Sequence, residues 1–78
     1  MRLSSSEKQL ARELASTLND WGSLELYEVY ALNYQEAALR TILTEVMSVP
    51  EQKIKKSRAA LFTFLVKKYG NRANNHRN

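Results

Sequence analysis

Apolar residues recur at three- and four-residue intervals along most of this chain, and residues that interrupt helices are scarce. The 78 residues contain two glycines and one proline, and runs of β-branched residues are missing. The spacing is typical of helices with one buried face, and the shortage of turn residues argues against a series of tight hairpins. The sequence therefore predicts an all-α fold.

The apolar pattern divides into four helical segments that we expect to form one small bundle. Their approximate limits are residues 6–19, 24–32, 34–47 and 51–69. The first and third segments carry the clearest one-sided stripes. These stripes are Leu10, Ala11, Leu14, Ala15 and Leu18 in the first helix, and Ala38, Leu39, Ile42, Leu43 and Val46 in the third.

Aromatic residues are concentrated in the second segment and just before it. Tyr27, Tyr30 and Tyr34 recur at helical intervals, and we expect them at the edge of the core, with buried rings and hydroxyls in water. Trp21, beside Gly22, is expected to close one end of the core.

Polar residues suggest where the first three helices begin. Ser5 or Ser6 is expected to cap the first helix, and Ser23 the second. Asn33 is followed three residues later by Glu36, which matches a capping box. This pair predicts that the third helix begins near residue 34.

The last segment does not fit a single one-sided helix. At about 3.6 residues per turn, Arg58 would fall in the middle of the apolar face, where an unpaired charge is costly. Either the chain breaks near Ser57, a competent N-cap, or the first turns overhang the core and keep the charges in solvent. We favour the break, with a short turn at 51–55 and a main helix from Arg58 to Tyr69. Gly70 would end this helix in the left-handed conformation.

The length of the chain limits it to one small core. Residues 1–70 are therefore predicted to form a single domain, and residues 71–78 a disordered basic tail. Cysteine is absent, and the single histidine, His76, stands in the tail without the further ligands that a metal site needs. We expect no metal and no cofactor.

No segment looks suited to a membrane or to export. The uncharged run at 59–66 is far shorter than the roughly 20 residues that cross a bilayer. The N-terminus becomes charged again before any apolar stretch, unlike a secretory signal. We expect a cytoplasmic protein that does not associate with membranes.

Charge is strongly segregated along the chain. Residues 51–78 contain eight of the twelve basic side chains and one of the eight acidic ones, whereas residues 1–50 contain four bases and seven acids. A small domain polarised in this way suggests an anionic partner. We therefore expect non-catalytic binding of nucleic acid, with DNA favoured over RNA.

The candidate contacts are the basic run before the main last helix and two arginines of the tail. They are Lys53, Lys55, Lys56, Ser57, Arg58, Arg72 and Arg77. A position at a helix N-terminus would add unpaired amides to the cationic side chains. Because the helix that follows is too apolar to lie exposed in a DNA groove, we expect phosphate contacts more readily than base reading.

Other interpretations of the same residues remain open. The basic run can serve only to keep a small apolar protein soluble, and an acidic protein would satisfy the same charge. The last helix is apolar on almost every side, which suggests a homodimer seam or a protein-docking surface that uses Phe64 and Trp21. An enzyme is expected least, because the carboxylates of the first half have no histidine or metal partner.

Overall fold

The structure is a computed structural model that describes residues 3–70. Four α-helices, two short 3₁₀ turns and no β-strand make up this part of the chain, which confirms the predicted all-α class. The helices are α1 (Ser5–Thr17), α2 (Leu24–Asn33), α3 (Glu36–Ser48) and α4 (Arg58–Tyr69), and the 3₁₀ turns are Trp21–Ser23 and Glu51–Lys53. Within the described residues, no helix is long and apolar enough to span a bilayer.

The core is built from the faces that the apolar spacing predicts. All five residues of the first predicted stripe are buried, and α3 buries Leu39, Ile42 and Val46. α1 packs against α2 and α3 packs against α4, while α4 contributes the fully buried Phe62 and Val66. One buried cluster therefore contains residues from all four helices.

The tyrosines of α2 lie deeper than the sequence predicts. Tyr27 and Tyr30 are buried, and their ring centroids lie 6.0 and 6.4 Å from that of Phe62. The Tyr27 hydroxyl donates a hydrogen bond to a carboxylate oxygen of Asp20 at 2.8 Å. The expectation of solvated hydroxyls is wrong for both residues, because α4 covers these rings. Burial, followed by the hydrogen bond to Asp20, raises the pKa of Tyr27 well above its usual range.

Ser4 caps α1, so the expectation of Ser5 or Ser6 is wrong. The Ser4 hydroxyl accepts from the Glu7 amide, and the Glu7 carboxylate accepts from the Ser4 amide. This capping box also puts the negative charge of Glu7 in the first turn, where it complements the helix dipole. The serine cluster offers several hydroxyls, and the position of the glutamate favours the first of them.

The predicted start of α2 is confirmed, with Ser23 at its N-cap position, but the predicted cap of α3 is wrong. Asn33 is the last residue of α2, and α3 begins at Glu36 after Gln35, without a capping hydrogen bond from a side chain. Ser23 makes no such bond either, because the 3₁₀ turn that contains it runs directly into α2. An N-cap residue needs a non-helical backbone, typically in the extended region. Asn33 does not have this backbone, because α2 extends to it.

α1 ends in a left-handed residue, Asn19, whose φ is 54°. The Asn19 amide donates to the Ser16 carbonyl, and the Asp20 amide donates to the Ala15 carbonyl, which together form a Schellman motif. Asparagine tolerates this conformation better than most other residues. The turn places Asp20 beside the Tyr27 hydroxyl.

Trp21 does not close the core as expected. Its side chain is 53% exposed on the 3₁₀ turn. The buried Leu18 and the partly buried Leu24 pack in the core on either side of this turn. This end of the core is therefore lined by the two leucines, and the indole stays at the surface.

Gly70 follows α4, but it is not left-handed as predicted. Its φ of −66° and ψ of 142° are extended values that any residue adopts. A Cβ atom at this position would lie 2.6 Å from the Val66 carbonyl oxygen and 2.9 Å from two ring carbons of Tyr34. Glycine is therefore required here for close packing and not for its backbone freedom.

Candidate functional site

The predicted basic cluster lies on the connection between α3 and α4. The break near Ser57 is confirmed, because α4 begins at Arg58 and the Ser57 hydroxyl accepts from the Ala60 amide at 3.0 Å. This N-cap fixes the start of α4. Lys53, Lys55 and Lys56 precede it and are all exposed.

Arg58 has its partners inside the chain. Its Nη1 atom donates to the carbonyl oxygens of Val46 and Val49, at 2.7 and 2.8 Å. These carbonyls stand at the C-terminal end of α3, where unpaired carbonyls carry partial negative charge. The positive charge of Arg58 is unfavourable at the N-terminus of α4. It is favourable at the C-terminal end of α3, where the two carbonyls accept its hydrogen bonds. Nη1 of Arg58 is thus paired within the chain, and the contact of Arg58 with nucleic acid stays a prediction.

The lysines border an open groove of about 510 Å³, which we call the lysine groove. Its lining residues are Lys53, Ile54, Lys55, Lys56, Ser57, Ala60, Leu61 and Phe64. Ile54, Leu61 and Phe64 give it an apolar surface. Phe64 is 57% exposed, as expected of a residue named for a docking surface. The groove therefore combines cationic groups with an accessible aromatic ring.

The positive charge of the lysine groove is not neutralised within the described residues. Both ion pairs found in residues 3–70 belong to Arg40, which contacts Glu13 of α1 and Glu36 of α3, each at 2.6 Å. Neither pair involves a lysine of the groove. The three ammonium groups are thus available to an external anion.

Further lysines stand at the other end of α4. Lys67 and Lys68 lie in its last turn, where a cation complements the helix dipole, as the sequence indicates. The Lys68 ammonium lies 5.6 Å from the centroid of the Phe64 ring and 5.6 Å from that of Tyr69. Phe64 consequently has the groove lysines on one side and Lys68 within cation–π distance.

The remaining predicted contacts are Trp21, Arg72 and Arg77. Trp21 is exposed but does not line it, so the structure does not unite Trp21 and Phe64 in one site. Arg72 and Arg77 lie outside the described residues. In residues 3–70, no group of three or more histidines, cysteines or carboxylates is placed to hold a metal ion.

The sequence revealed the lysines and Phe64 but not the groove that they share. Ile54 and Leu61 were missed as site residues, because their position beside the lysines depends on the path of the non-helical connection. Comparison of the chain with protein-family models, curated proteins and solved structures finds no match. A function for this chain must therefore be inferred from the chemistry of the lysine groove.

Proposed function

We propose that this chain is a non-catalytic domain that binds nucleic acid through phosphate contacts made by Lys53, Lys55 and Lys56. The supporting observation is that these exposed lysines line one groove and have no ion-pair partner within the described residues. Phosphates attract such groups whatever the base sequence, and contacts of this kind dominate non-specific affinity.

Ser57 and Arg58 have different roles in this proposal. The Ser57 oxygen accepts from the Ala60 amide, and its hydroxyl proton remains able to donate to a phosphate. Arg58 is a positioning residue, because its hydrogen bonds to the end of α3 hold the connection that carries the lysines. Arg72 and Arg77 add positive charge to the same third of the chain.

Binding of fluorescent oligonucleotides to matched charge variants tests this proposal. Lys55→Glu/Lys56→Glu reverses two groove lysines, and Lys8→Glu/Arg12→Glu makes the same change in net charge on the exposed face of α1. We expect the groove variant to lose at least about tenfold more affinity at low salt than the control, because direct phosphate contacts outweigh the general field. Equal losses, or no binding by the wild type, would refute the proposal.

The apolar part of the groove favours a second candidate function, which is protein docking. Ile54, Leu61 and Phe64 offer a surface that an acidic amphipathic segment or a second copy of the chain would cover. Sedimentation at high micromolar concentration tests the homodimer. A clean monomer at that concentration would exclude the homodimer, and docking of an acidic segment would then be the remaining form of this second function.

A further inference from the structure

Phe64 gives the lysine groove a capability that its lysines alone do not have. Ammonium groups contact phosphates equally in single and double strands, whereas an exposed aromatic ring can contact the face of a base. The Phe64 ring is 57% exposed and lines the same groove as the three lysines. A ring in this setting suits a ligand with both phosphates and accessible π faces.

We propose that the lysine groove binds single-stranded nucleic acid, with one base stacked on Phe64 and the adjacent phosphates on Lys53, Lys55 and Lys56. This inference rests on the proposed function and narrows its ligand. In a duplex the base faces are already stacked on one another, and exposing one costs a few kcal/mol. Phe64 therefore adds affinity only for a strand whose bases are free.

The spacing of the groove lysines agrees with a single strand. Lys53 and Lys56 are separated by at most about 11 Å of extended backbone. They can therefore follow neighbouring phosphates of one strand.

Lys68 extends this contact surface beyond the groove. Its ammonium lies 5.6 Å from the centroid of the Phe64 ring, and its flexible stem allows it to turn from the ring to a phosphate. A base that stacks on Phe64 would thus have a cation close to its own backbone. Aromatic rings and cations together are the usual elements of sequence-tolerant single-strand binding.

Fluorescence anisotropy with an unstructured oligothymidine and a hairpin duplex of equal charge, closed by a linker without bases, tests the inference. The key variant is Phe64→Leu, which keeps an apolar side chain but removes the flat ring, and Phe64→Trp is its matched aromatic control. We expect Phe64→Leu to weaken oligothymidine binding roughly 5- to 100-fold, as stacking of one base implies. Hairpin affinity should change less than about twofold, and Phe64→Trp should retain the affinity for oligothymidine.

The outcomes separate this inference from the proposed function. If Lys55→Glu/Lys56→Glu loses affinity while Phe64→Leu binds both probes as the wild type does, phosphate binding stands and stacking is refuted. Equal losses of Phe64→Leu for the hairpin and the single strand also refute the single-strand preference. If neither probe binds while polyglutamate does, both proposals fail and the groove is a site for acidic proteins.

Discussion

Arg58 provides a quantitative test of how the lysine-bearing connection is held against α3. We consider Arg58→Met, which keeps an apolar stem but removes both hydrogen bonds to the Val46 and Val49 carbonyls. A hydrogen bond that involves a charged group contributes about 1.5–3 kcal/mol. Because Arg58 is only half-buried and one nitrogen serves both carbonyls, we expect a loss of about 2–3 kcal/mol in the free energy of unfolding.

Urea and thermal denaturation followed by circular dichroism measure this loss. For a domain of this size, about 2–3 kcal/mol corresponds to a decrease in Tm of roughly 10–20 °C. Arg40→Met is the matched control, since Arg40 makes ion pairs with Glu13 and Glu36 on the exposed surface, and such pairs contribute about 0.2–1 kcal/mol each. If Arg58→Met lowers the free energy of unfolding no more than Arg40→Met does, the hydrogen bonds of Arg58 to the carbonyls at the end of α3 do not stabilise the fold as stated here.

Three further predictions concern tyrosines and glycines, and all are measured by urea denaturation. Tyr27→Phe should lower the free energy of unfolding by about 1 kcal/mol because it removes the hydrogen bond to Asp20. Tyr30→Phe should lower it less, because the buried Tyr30 hydroxyl has only a weak contact with Thr63. Because the pKa of Tyr27 is raised in the folded protein, its contribution to stability is retained below about pH 10 and is lost as the pH rises further, where tyrosine ionises only in the unfolded chain. Tyr27→Phe should weaken this alkaline loss of stability. An unchanged loss would contradict the assignment of the loss to Tyr27. Gly70→Ala should lower the free energy of unfolding by about 1–3 kcal/mol because the new Cβ meets the Val66 carbonyl. Gly22→Ala is the control and should change it very little, because the space around Gly22 is open. Equal effects at the two glycines would contradict the argument that Gly70 is needed for close packing.

The sequence predicts much of this fold because apolar spacing records which side of a helix is buried. It identifies the buried faces of α1 and α3, and the conflict at Arg58 correctly predicts a break near Ser57. Capping residues are predicted less well than the helices themselves, because several residues can cap and tertiary packing decides among them. Asn33 matches a capping box, but α2 continues through it. A local motif cannot reveal that neighbouring helices favour another boundary.

The candidate site is visible in the sequence only in part. The three lysines lie within four residues of sequence, and Phe64 is expected at the surface because the last helix is apolar on almost every side. The partners of Arg58 lie 9 and 12 residues away across a turn, and no local pattern indicates such contacts. The apolar surface of the groove likewise depends on how Ile54 approaches Leu61, which is set by the connection and not by helical periodicity.

The salt dependence of oligonucleotide binding is the most direct test of the claim that the groove lysines contact phosphates. For three contacts, the slope of log K against log salt concentration should lie between about −2 and −3. Lys55→Ala should reduce its magnitude by about 0.7–0.9, and the control Lys8→Ala should leave it unchanged. A slope near zero, or the same slope in the wild type and Lys55→Ala, would contradict the account.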